Sequence, residues 1–248
     1  MSELAHRIDG PPDAPVVVLG NSLGADMGMW EPQVVALAER FRVVRYDTRG
    51  HGGSPVPAGP LTIADLGADL LGLLDHLGAA RASLAGVSLG GMTAMWAAAE
   101  APERVERLVL CCTSARLGPP EMWDDRIRTV RAEGTAALAG ATMERWFSPA
   151  ADPDVVARFA AMLRAVPAAG YAACCAAIRD MDQRDRLGRI AAPTLVIAGG
   201  DDPATPPEHA ELLAAGIPGA RLAVIDGARH LANVERAEEV TALMLEHL

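Results

Sequence analysis

Short runs rich in apolar residues recur along the chain at 16–19, 42–46, 82–85, 107–110, 194–198 and 222–225. Most are closed by glycine or a polar turn and followed by a segment of helical spacing. Runs this short, with apolar residues on both faces, predict buried parallel strands rather than the half-solvated alternation of an antiparallel sheet. Between them, Ile63, Leu66, Leu70, Leu73, Leu74 and Leu77 stand three or four apart, one stripe along a helix. Thr62 can cap the start of that helix, with Asp65 three residues on. Residues 89–99 are apolar nearly all round, which predicts a buried helix. The alternation is that of one layered α/β domain with a mostly parallel central sheet flanked by helices.

Between Arg116 and Gly188 the strand rhythm stops. The stretch holds Trp123, Trp146 and Phe147, proline breaks at Pro149, Pro153 and Pro167, and helical spacing through Val155, Phe159, Met162 and Val166. It predicts a helical cap over 116–188 inserted into a core made of 1–115 and 189–248. The cap carries ten arginines and ten acids, so the whole net charge of −10 sits on the core. A neutral cap is either a solvated helical face or a lid that does not repel an anionic ligand.

The chain has 248 residues, 50% apolar and 22% charged, enough for one large core and unlike disordered, collagen-like or coiled-coil sequence. Its charge of 22 − 32 = −10 argues against nucleic acid or an acidic membrane surface as partner. All 22 basic residues are arginine, so chemistry through a lysine Schiff base is excluded. Cys111–Cys112 and Cys174–Cys175 are adjacent pairs without metal or redox spacing, and are expected to be free thiols behaving as small apolar residues. Residues 1–10 contain no signal-peptide block, and no apolar stretch reaches the ~20 residues of a membrane span. A cytoplasmic protein is the expectation.

The chemistry-bearing motif is Gly86-Val87-Ser88-Leu89-Gly90-Gly91, where a strand meets the buried helix. Glycines two before and two after the serine permit a tight strand-to-helix turn that presents its hydroxyl at a helix amino end. As nucleophile Ser88 needs a base, and the base needs a carboxylate to orient it. Among six histidines, His6, His76 and His247 are expected at the surface. His209 stands at a helix start, and His51 is expected to hold the turn 47–54. His230, after the last strand, is the candidate base, because open α/β sheets place ligands at the carboxyl ends of their strands. Asp201 and Asp202 are both available as the acid. Asp202 is the choice by chain order, serine then aspartate then histidine; Asp226, directly ending a strand, ranks third. The two N–H groups of an oxyanion hole are assigned to Leu89 and to Leu23, in the loop after the first strongly apolar strand.

The elbow, the acid turn and the late histidine resemble the α/β-hydrolase superfamily. Further motifs resemble its 3-oxoadipate enol-lactone hydrolase branch: Asn21 to Gly24 with Trp30, Tyr46 to Gly52, Gly86 to Met92, Ala101 to Val105, Leu108 to Cys111, Arg145-Trp146-Phe147, Gly170 to Cys175, Asp202 to Pro207 and His230 to Glu235. The cap motifs among them are the more discriminating. The resemblance implies the α/β-hydrolase fold with a helical lid inserted after the sixth strand, and a triad of Ser88, Asp202 and His230 with Leu23 and Leu89 as oxyanion donors. It implies hydrolysis of a small anionic enol-lactone in aromatic-compound catabolism, with no metal or organic cofactor. Other small-ester hydrolysis or perhydrolysis on the same triad, or ligand binding without catalysis, are the alternatives. Trp123, Arg126, Arg131, Arg145, Trp146 and Arg179 are the cap candidates for substrate binding, with no choice among the arginines. Some relatives carry a fused carboxymuconolactone decarboxylase; this chain, ending at Leu248, is expected to lack one. Oligomeric state is left open.

Overall fold

The computed structural model describes residues 4–248; residues 1–3, part of the core segment 1–115 and of the opening stretch read for a leader, lie outside the described residues. Seven strands form one sheet in the order β1-β3-β2-β4-β5-β6-β7. They are β1 (His6–Asp9), β2 (Val16–Gly20), β3 (Arg42–Tyr46), β4 (Ala82–Val87), β5 (Val105–Cys111), β6 (Thr194–Gly199) and β7 (Arg221–Ile225). All neighbours are parallel except β1, which pairs antiparallel with β3 through His6 opposite Tyr46 and Asp9 opposite Val43. The six predicted runs are the six parallel strands. β1 escapes a reading of apolar runs because His6-Arg7-Ile8-Asp9 is a half-exposed edge with one apolar residue.

β4 is the central strand and is buried along its whole length. The last strand departs from expectation. β7 has a neighbour on one side only, and its Leu222 and Val224 are 37% and 46% exposed, so it is not buried on both faces. Packed on the sheet are α1 (Glu31–Ala38), α2 (Ile63–His76), α3 (Leu89–Glu100), α8 (Pro207–Gly216), the short α9 (Ala232–Glu235) and α10 (Ala237–His247). In α2 the leucine stripe Leu66, Leu70, Leu73 and Leu74 faces inward. Its start is a capping box, Thr62 Oγ1 accepting from the Asp65 amide and the Asp65 carboxylate accepting from the Thr62 amide.

Between β5 and β6 lie α4 (Pro120–Glu133), α5 (Ala139–Trp146), α6 (Pro153–Ala165) and α7 (Ala168–Asp180). The insertion therefore follows the fifth strand of the sheet and not the sixth, because among the described residues only one strand, β1, precedes β2. The chain leaves the core and returns through one neck, where the Gln183 amide donates to the Ala115 carbonyl (2.8 Å) and the Gln183 side chain donates to the Met92 carbonyl in α3 (3.0 Å). The 3-10 turn Arg184–Arg189, placed in the cap by sequence, packs against α3 and α8 and goes with the core. No single helix is long and apolar enough to cross a membrane; α6 and α7 together pass on composition but are bent by 95°.

The fold's tightest approach lies under the cap. A Cβ on Gly90 would stand 2.2 Å from the Gly20 carbonyl oxygen, and one on Gly86 would stand 2.2 Å from the Gly90 carbonyl carbon. The first turn of α3 can cross the end of β2 only if both backbones are bare. Gly90→Ala should cost roughly 1–3 kcal/mol or more through overpacking, read as a lower urea midpoint at unchanged m-value.

Candidate active site

Gly86 lets β4 turn into α3 at Ser88, whose backbone is held at φ 54° and ψ −116°, a positive-φ conformation that residues other than glycine adopt only under strain. The surroundings over-determine it. The Ser88 amide donates to the Cys111 carbonyl (3.0 Å), and its carbonyl accepts from the Thr113 hydroxyl (2.7 Å) and the Met92 amide (2.9 Å). The residue is buried, at 6% exposure.

The acid and base arrive on the loops after β6 and β7. A Cβ on Gly199 would meet the Ala228 and Arg229 carbonyl oxygens at 2.6 Å, and the Asp201 amide donates to Ala228 (3.0 Å), so the two loops lie back to back. Asp202 Oδ2 sits 2.8 Å from His230 Nδ1 and also accepts from the Thr205 hydroxyl (2.6 Å). Its Oδ1 accepts from the Ala204 (2.8 Å) and Thr205 (3.1 Å) amides. Burial alone would raise the carboxyl's pKa, but the His230 charge and these hydrogen bonds outweigh it and hold the group below the ordinary carboxylate value. Asp201 and Asp226 are both exposed, so the structure brings Asp202 to the histidine and leaves the other two acids out.

Ser88 and His230 line one small cavity of about 40 Å³ under the cap. No hydrogen bond joins the Ser88 hydroxyl to the imidazole, although both groups face the same cavity. Opening onto the same space is the loop after β2. There the amides around Leu23 are engaged: Ser22 with the Met29 sulfur (3.3 Å), Gly24 with His51 Nε2 (3.0 Å) and Ala25 with the Ser22 carbonyl (3.0 Å). In α3, the amides either side of Leu89 are likewise engaged, Ser88 with Cys111 and Gly90 with the Asn21 carbonyl (2.9 Å). Among the described residues, the N–H groups of Leu23 and Leu89 have no hydrogen-bond acceptor.

His51 holds this loop, as its place in the turn 47–54 suggested. Its Nε2 must be unprotonated to accept from Gly24, and burial lowers its pKa from 6.5 to about 4. His247 departs from expectation. It is buried, not at the surface, with Nε2 3.2 Å from the Pro193 carbonyl at the far end of β6, because the last turn of α10 folds back on the sheet. His209 pairs with the Ser114 hydroxyl (2.7 Å).

Of the cap candidates, Trp123, Arg126, Arg145 and Trp146 line the cavity. The Trp123 indole N–H is engaged with the Leu117 carbonyl (2.8 Å), and the Arg126 guanidinium lies 4.9 Å from its ring centroid. Arg145 donates to the Thr142 hydroxyl (3.0 Å). Burial, then repulsion from Arg126, lowers its pKa, against the weaker opposing pull of Tyr171 and Glu144. Both guanidinium groups line the cavity, and no salt bridge joins either to a carboxylate among the described residues. Arg131 and Arg179 are corrections to the sequence list. Arg131 is exposed beside a separate groove lined by Pro57, Pro60 and Ala168, and Arg179 is bound to Asp124 and Asp180 (both 2.7 Å). Helix spacing alone cannot separate inward from outward arginines when the packing of the cap on the core is unknown. Tyr171, quoted only as part of a motif, also lines the cavity; burial pushes its phenol up to about 12 against the opposing pull of Arg126. Thr205 was legible as a hydroxyl three residues after the acid.

A profile of the alpha/beta hydrolase fold matches residues 15–237. Two relatives from Acinetobacter baylyi, 3-oxoadipate enol-lactonase 2 and 3-oxoadipate enol-lactonase 1, are 38% and 40% identical, each over 95% of this chain and 89% of their own. The crystal structure of the enol-lactonase from Burkholderia xenovorans LB400 superposes with a TM-score of 0.97 at 45% identity, covering 99% of this chain and 96% of that one. The chain belongs to the α/β-hydrolase family and, within it, to the enol-lactonase branch.

The buried neutral His51 sets a pH dependence. Folded, its ring takes a proton only near pH 4, whereas unfolded it does so near 6.5. The unfolded chain binds more protons in that window, so this residue lowers stability as pH falls from 6.5 to 4, by at most about 3 kcal/mol. Urea unfolding of His51→Gln across the window should show a flatter pH slope than wild type.

Proposed function

We propose that this protein is a serine hydrolase that opens a small anionic enol-lactone, converting 3-oxoadipate enol-lactone to 3-oxoadipate. The observation that carries the choice of substrate is the pairing of Arg126 and Arg145, neither salt-bridged to a carboxylate among the described residues, in the wall of the cavity that also holds Ser88 and His230. A substrate with a free carboxylate answers that charge; a neutral ester does not. The names of the relatives point the same way.

In this reading His230 accepts the Ser88 proton as Oγ attacks the ring carbonyl, and Asp202 stabilises the imidazolium that forms. The carbonyl oxygen becomes an oxyanion held by the Leu23 and Leu89 amides. Collapse breaks the ring C–O bond and expels an enolate, a better leaving group than an ordinary alkoxide. The enolate takes the proton held by the His230 imidazolium and ketonises to the 3-oxo acid, which leaves the imidazole neutral again. Water, deprotonated by His230, then attacks the acyl-serine and frees Ser88. Arg126 and Arg145 hold the substrate carboxylate, while the Trp123 and Trp146 faces wall the ring. The reaction draws only on these groups of the chain. Four unbridged thiols suit a reducing cytoplasm, and the acidic surface suits neither nucleic acid nor an anionic membrane as partner.

Loss of ultraviolet absorbance of the enol-lactone on adding purified protein tests the reading; no loss beyond the buffer rate overturns it. Ser88→Ala should lower kcat on the order of 10⁵-fold while the fold is retained. Arg126→Ala and Arg145→Ala should each raise KM for the lactone about 10- to 100-fold, the worth of a charged hydrogen bond, and leave KM for a neutral p-nitrophenyl ester unchanged.

A further inference from the structure

We infer that Glu235 is a positioning residue for the reaction: its carboxylate straps the loop carrying His230 to the cap segment carrying Arg145 and Trp146, so that the base and the substrate anchor form one mechanical unit. The two carboxylate oxygens are divided between the two segments. Oε1 accepts from the Ser148 amide on the cap side (2.8 Å), and Oε2 accepts from the Arg229 amide next to His230 (2.9 Å). Beside this strap the backbones bond directly, the His230 amide to the Arg145 carbonyl (3.4 Å) and the Leu231 amide to the Trp146 carbonyl (3.1 Å). The Arg229 guanidinium adds contacts to the Glu144 carbonyl and to the Phe147 carbonyl (3.3 Å). Cap residues 144–148 and loop residues 229–231 are thus laced at every step.

Glu235 is itself held fast. It ends the short helix α9, which is tied to α1 by the Gln33 side chain donating to the Asn233 carbonyl (2.7 Å), and to the turn before α1 by Asn233 donating to the Met29 carbonyl (3.1 Å). A carboxylate on a rigid support, with one oxygen for each segment, sets where both stand. Of the two direct backbone bonds, the one at His230 is long at 3.4 Å, near the limit of a hydrogen bond, so the charge-assisted strap is the stronger link at the base itself. Glutamine has the same shape but only one acceptor oxygen, and its amide nitrogen would face an N–H donor. Glu235→Gln therefore breaks one half of the strap without emptying space. This inference rests on the serine-hydrolase reading above and not on the identity of the lactone.

The test compares wild type and Glu235→Gln on the anionic lactone and on a neutral p-nitrophenyl ester. Displacement of the base should lower kcat for the ester about 10- to 100-fold, with KM and Tm little changed; the lactone should show the same fall in kcat and a raised KM, because Arg145 shifts with the cap. Unchanged ester kcat in Glu235→Gln overturns the inference. Ser148→Pro removes the cap-side N–H without touching the base loop, and should reproduce the fall in ester kcat. If Glu235→Gln fails to fold, Ser148→Pro decides alone, unchanged ester kcat again overturning it. A wild-type enzyme that turns over the ester and not the lactone removes the lactone reading and leaves this comparison intact.

Discussion

The geometry of the candidate site depends on one close crossing, where the backbone of Gly20 at the end of β2 meets that of Gly90 in the first turn of α3. The Gly90 amide donates across it to the Asn21 carbonyl at 2.9 Å, and a single hydrogen bond thereby joins the two segments that carry the free N–H groups. Because Leu23 and Leu89 hang from opposite sides of this crossing, the spacing of the two donors is a property of packed main chain. Dipoles fixed in this way need no reorganisation when charge develops between them, which is the basis of electrostatic preorganisation. The strain at Ser88 is maintained by Cys111, the last residue of the neighbouring strand, and by Thr113 just beyond it.

Charge in the site is arranged in two opposed zones. On the core side, three donors from its own turn converge on a buried carboxylate, and its fourth contact is to one ring nitrogen of His230. On the cap side two guanidinium groups crowd each other; Tyr171 and Glu144 offset the crowding at Arg145 only in part, and its pKa stays lowered. An acidic chain that gathers two guanidinium groups at one cavity wall has a local field there opposite in sign to its overall charge. An anion repelled by the bulk surface still meets an attractive mouth.

The sequence made the parallel strands, the elbow and the order of the triad legible, since each rests on local rules: apolar runs, glycine spacing and position at strand ends. Asp202 rather than Asp201 or Asp226 was a choice by chain order; in the structure Asp202 is buried among donors of its own turn and bonded to His230, while Asp201 and Asp226 are exposed. What could not be read were the features decided by packing. β1 lacks an apolar run. β7 looks like its buried neighbours until its place at the edge is known. Arg131 and Arg179 look like Arg126 and Arg145 until the cap is docked. His247 at the chain's end reads as solvated, yet α10 returns it to the sheet.

The neck at Ala115 and Gln183 bears on how such a protein can change over time. Both ends of the inserted helices meet at one main-chain hydrogen bond, so the core presents a nearly closed loop to whatever is spliced there. Lengthening a loop whose ends are already together costs only a logarithmic increment of entropy. Selection can therefore exchange or remodel the roof for a new substrate while the floor stays untouched, provided that a replacement preserves the stitching to the histidine loop.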